Sequence, residues 1–226
     1  MDPGLERERR SAYAAEPQPE MRHETYKVVT TGSILEAVGG IAAGVLGILG
    51  LVGFAPMHMA AIAAMAFGVG LTAEGAAVAS KYSELTHYGN GAIVKSEVGG
   101  GSGAELLGGL AGGVLGLLAL LGIAPLVLVS VAVIVFGASL LLGSASTARL
   151  GSAVSHFGEH DLSHASMEAA AGAEVLVGLA TIALGILSLV GIEAMTLVLA
   201  ALLSLGVAAI IAGTAIGGSL VSVFSH

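Results

Sequence analysis

The chain has 226 residues, of which 55% are hydrophobic, 11% are charged and 35 are glycine, and its mean hydropathy is +0.94. That composition lies outside the range of soluble domains, and the absence of cysteine excludes disulfides, thiolate metal sites and cysteine nucleophiles. The formal net charge is −8, and no nucleic-acid partner is expected from its distribution.

Residues 1–30 are polar, with Pro3, Pro17, Pro19 and mixed charges, unlike the basic start and immediate apolar run of a signal peptide. They read as a retained polar tail on the cytoplasmic side. Three apolar stretches follow, from about Ile34 to Ser80, Leu106 to Ala148 and Ala169 to Phe224. Each is about twice the roughly 20 residues that one bilayer crossing needs, so each is expected to cross twice. The expected fold is all-α and polytopic, six transmembrane helices in three tandem hairpins, with segments 31–100, 101–168 and 169–226 after the tail.

The segment Glu36 to Pro56 aligns without gaps on Glu105 to Pro125 and on Glu174 to Ala194, a period of 69 residues. The first two copies agree at 13 of 21 positions and the second and third at 11 of 21, whereas a shuffled chain of this composition gives roughly three. Each copy is a glutamate, a glycine-studded helix, a break at Gly53–Pro56, Gly122–Pro125 or Gly191–Ala194, and a second apolar helix. Glycine ends a helix, and proline fits the first turn of the next, where its missing N–H costs nothing. Three hairpins that start and end on one side run parallel and fit a pseudo-threefold axis along the membrane normal.

The first helix of each copy carries a glycine stripe: Gly40, Gly44 and Gly47; Gly109, Gly113 and Gly116; and, more weakly, Gly178 and Gly185. Such stripes let helix backbones approach closely in lipid, so they are expected to pack helices and to support self-association with a second copy or other membrane proteins. Glu36, Glu105 and Glu174 precede the stripes. Ser33 and Ser102, three residues earlier, fit a capping box, so one reading makes the glutamates helix caps. The other places them on the bundle axis as an ion- or proton-binding ring. Glu74, deep in a second helix where the equivalents are Gly143 and Ala212, joins the candidates, and His58 is too far along the helix to be its partner.

The eight basic residues all fall outside the expected spans, in the tail and the two long loops, and the hairpin turns have none. The positive-inside rule makes the tail side cytoplasmic, in an inner or plasma membrane. The second long loop holds His156-Phe157-Gly158-Glu159-His160, which reads as H-x-x-E-H, and His164 extends it. His156, His160, His164 and Glu159 are candidate metal ligands, against the plainer reading of a solvated cytoplasmic helix.

The run Gly-Gly-x-Ala-x-Gly-x-Leu-Gly-x-Leu-x-Leu-x-Gly-x-Ala-Pro, followed by a helix with Phe67-Gly68 or Phe136-Gly137, resembles the short-repeat HdeD-type bacterial membrane proteins over residues 34–220. The resemblance implies six helices in paired repeats and a role in acid or envelope stress, with no catalytic residues and no cofactor. The expected function is a non-enzymatic structural membrane protein. The alternatives are a small cation or proton channel using Glu36, Glu105 and Glu174, and a membrane metalloprotease built on the histidine loop.

Overall fold

Leucine, alanine and valine dominate long runs in which proline occurs only at the breaks, and such runs satisfy their own backbone groups as helix. The computed structural model describes the backbone of residues 19–87, 92–155 and 161–224 and the side chains within 34–77, 103–144 and 171–212. It is all-α. The helices are α1 (Pro19–Leu51), α2 (Pro56–His87), α3 (Ala92–Leu120), α4 (Pro125–Ser155), α5 (Asp161–Leu189) and α6 (Ala194–Phe224). All six contain stretches of 18 to 22 residues long and apolar enough to cross a membrane.

The helices are longer than the sequence reading expects. At 29 to 33 residues each they reach about 44 to 50 Å, well beyond the roughly 30 Å of a hydrocarbon core. The surplus lies at the end away from the turns. Residues 19–30, expected as a tail, open α1, and most of the two long loops are helical extensions. The basic residues Arg22, Lys27, Lys81, Lys95 and Arg149 therefore sit on helix rather than in loop.

All three breaks fold alike. The N–H groups of Phe54, Ile123 and Ile192 donate to the carbonyls of Leu49, Leu118 and Leu187, and those of Gly53, Gly122 and Gly191 to Gly50, Ala119 and Ser188. This paired closure is the Schellman motif, which places its glycine in the left-handed region. Gly53, Gly122 and Gly191 have φ of 96°, 85° and 90°. Ala55, Ala124 and Glu193 also have positive φ, near 38°, immediately before the next helix. Lacking proline, the third turn keeps the same backbone, and the Ser188 hydroxyl donates to the Ala194 carbonyl at 3.0 Å across it.

Packing closes the six helices into a ring, each touching the next, with α6 returning to α1. Inside it, α2, α4 and α6 also touch one another, while α1, α3 and α5 make no contact with each other among the described residues. The inner three meet in layers 69 residues apart: Ala60, Val129 and Val198; Ala64, Val133 and Leu202; Phe67, Phe136 and Leu205; Leu71, Leu140 and Ala209. The spacing of three and four residues is that of a coiled-coil seam. Phe67 and Phe136 meet edge to face with centroids 4.9 Å apart. Outside, Ile34, Val38, Ile41, Val45, Leu107, Leu110, Val114, Leu176, Leu179 and Ile186 are exposed.

The glycine stripes are used within this one chain. Gly68 of α2 lies against Gly109 of α3, Gly137 of α4 against Gly178 of α5, and Gly206 of α6 against Gly40 of α1. Gly47 faces Leu199 and Leu203, Gly116 faces Ala61 and Ala64, and Gly185 faces Ser130 and Ile134. Most of the stripe glycines are thus packed against backbone or side chains of the same chain, which is the helix-packing use expected of them.

Candidate functional site

Burying an ionisable side chain is costly unless something compensates for it, so the buried acids locate the site. Glu36, Glu105 and Glu174 are 3%, 5% and 5% exposed, on α1, α3 and α5. Each lies 15 residues before the end of its helix, about 22 Å from the turns. Glu74 lies 18 residues after the start of α2, about 27 Å from the same turns. The four thus share one end of the bundle.

Capping does not account for them. Their helices begin at Pro19, Ala92 and Asp161, three or more turns earlier, so the amides around Glu36, Glu105 and Glu174 already belong to a running helix. A cap needs the free amides of a first turn. The sequence reading placed the starts where polarity ends, whereas the helices continue through the polar segments.

The four carboxyls are close enough to act on one another. Glu36 lies within electrostatic reach of Glu74, Glu105 and Glu174, and Glu105 within reach of Glu74 and Glu174. The Glu36 and Glu74 side chains lie within hydrogen-bonding reach of each other. The Glu105 carboxyl lies over Gly143, where a β-carbon would collide with Oε1. Because Gly143 is the counterpart of Glu74, the second copy fills with its first-helix acid the space that its second helix leaves empty. In the first copy, Gly70 gives the backbone of Glu36 the same close approach. Glu74 itself is half-buried, and His58 is exposed at the opposite end.

Little near the cluster compensates it. Glu36 Oε2 is buried without a hydrogen-bond partner. The hydroxyls on the same stretches of α2 and α4 are engaged elsewhere: Thr72 donates to Gly68, Ser139 to Val135 and Ser144 to Leu141, all backbone carbonyls of their own helices. No three acidic or histidine side chains among the described residues are placed to hold a metal ion. Toward the turns, the axis is filled by Leu71, Leu140 and Ala209, then by Phe67, Phe136 and Leu205.

His156, Glu159 and His160 lie outside the described residues. His164 falls within α5, but its side chain also lies outside them. Sequence reasoning missed the Ser130–Ser188 contact, 2.7 Å between hydroxyls of α4 and α5. Both serines break otherwise apolar runs, which is the signal that could have found them.

Fold and site together define an all-α protein with six helices long and apolar enough to cross a membrane and a buried carboxyl cluster at one end. Comparison with protein-family models, with curated proteins and with solved structures finds no match for this chain.

Proposed function

We propose that the chain is a non-enzymatic integral membrane protein, its three 69-residue repeats inserted as parallel hairpins with the helix extensions and both termini in the cytoplasm. The observation that carries this reading is the sheath of exposed aliphatic side chains on α1, α3 and α5, set against an interior closed by glycine and alanine. Water would leave that sheath at a large free-energy cost, whereas lipid covers it at none. The basic residues Arg22, Lys27, Lys81, Lys95 and Arg149, on the helix extensions, support a cytoplasmic orientation for that end.

The role follows from how the interior is built. Its layers fill the described part of the axis with packed apolar side chains, which supports a structural membrane component over a conduit. The likeness to HdeD-type repeats supports a part in acid or envelope stress, in a bacterial inner membrane.

Since the chain has no cysteine, single-cysteine labelling has no background. Cysteine at Val52, Ile123 or Glu193 is expected to react with an impermeant maleimide from outside intact cells, and cysteine at Ser225 only after permeabilisation. Equal labelling of both sets in intact cells, or recovery of the protein in the soluble fraction, would overturn the reading.

A further inference from the structure

A buried carboxylate without a partner is among the costliest groups a fold can hold. Here four carboxyls gather at one end of a bundle, three from a shared repeat position and the fourth, Glu74, supplied once and set directly against Glu36. A carboxylate has only acceptors. Two of them cannot hydrogen-bond each other, so a close Glu36–Glu74 contact is favourable only when one of the two carries a proton. Independently, Glu36 Oε2 stands buried with no partner inside the cluster.

The ligand class follows from what fits. A divalent ion wants several oxygens converging on one point, and no three described acids or histidines do so. Among the described residues, the charged or titratable groups of the cluster are Glu36 from α1, Glu74 from α2, Glu105 from α3 and Glu174 from α5. Among the described residues, the buried positions of α4 near this end include Ser139, Gly143 and Ser144, and those of α6 include Ala208, Ala209 and Ala212. The basic residues of the extensions, Arg22, Lys27, Lys81, Lys95 and Arg149, lie beyond the described side chains.

We infer that Glu36, Glu74, Glu105 and Glu174 form a proton-binding site, reached from the face that carries the helix extensions and closed toward the turns by the layers of Leu71, Leu140, Phe67 and Phe136. Each proton taken up turns one carboxylate into a carboxyl and removes one like charge from among its neighbours. Occupancy then reports the proton activity of one compartment only, since the packed axis offers no exit to the other. This rests on the membrane reading proposed above, and the site would serve that protein as an acid sensor.

The test is infrared difference spectroscopy of the full-length protein in lipid nanodiscs, between neutral and alkaline buffer, after cysteine labelling has established insertion separately. A protonated-carboxyl stretch is expected at neutral pH and lost in alkali. It should shift when glutamate is carbon-13 labelled, shrink in Glu36→Gln and Glu74→Gln, vanish when all four are glutamine, and be unchanged in Glu193→Gln at the exposed third turn. Absence of the stretch in the wild-type protein overturns the proposal whether or not the variants fold. So does a stretch that none of the four substitutions alters, or one that sodium or calcium removes at constant pH, which would make the site a cation site. Failure of the labelling, by contrast, overturns only the membrane reading.

Discussion

Two kinds of glycine occur in these helices, and a methyl group tells them apart. On Gly137 it would stand 2.7 Å from the carbonyl oxygen of Gly178, so helices α4 and α5 would have to separate. On Gly172 it would meet nothing within 4 Å. Gly137→Ala is therefore expected to destabilise the fold by about 1–3 kcal/mol, as overpacking does. Gly172→Ala is expected to stabilise it by about 0.5–1 kcal/mol, because alanine loses less backbone entropy in a helix. Steric-trapping unfolding in bicelles would compare the two, and equal effects would refute the close crossing. The stripes themselves were legible as spacing, but which neighbour they meet was not, since a stripe fits a second chain as well as the next hairpin. Glu36 shows the same limit: a serine three residues upstream fits a cap in sequence, and only the helix start at Pro19 removes it.

Among the elements, the third turn shows how one backbone is kept by two chemistries. The first two enter the next helix through Pro56 and Pro125, and the third through Ala194 with the Ser188 hydroxyl braced on the Ala194 carbonyl. Ser188→Ala is expected to cost about 1 kcal/mol, an ordinary net value for one hydrogen bond. Ala194→Pro is expected to recover about 0.4–1 kcal/mol by restricting the unfolded chain, because its position already follows proline geometry in the other turns. Unfolding of the single and double variants would check both, and a destabilising Ala194→Pro would show that the turns differ. The glycine of every turn was readable, and the serine brace was not, because it joins positions six apart across a bend. Helix ends on the other side were misjudged for a physical reason. Falling hydropathy marks where the apolar run stops, whereas Glu20, Met21, Arg22 and Glu24 at the start of α1 are helix formers in their own right.

At the scale of the molecule, the ring of six helices surrounds a filled seam, and this separates binding protons from conducting them. Proteoliposomes are expected to show no proton or monovalent-cation flux above protein-free vesicles, in neutral or acidic buffer. Flux abolished by the combined Glu36→Gln, Glu105→Gln and Glu174→Gln changes would overturn the closed axis. The 69-residue period and the six apolar runs were plain in the sequence. The closure of α6 on α1 was not, because nothing local in either helix says whether the ends of a row of hairpins meet. That closure carries a topological consequence. In a ring with no first or last member, the connection between any two neighbouring helix pairs is interchangeable with the open one between α6 and α1. A chain opened at residues 88–91, with a linker spanning from the end of α6 to the start of α1, would present the same six helices in the same cyclic order. The order in which the pairs are synthesised is then a property of the gene, and the contacts that define the bundle do not depend on it.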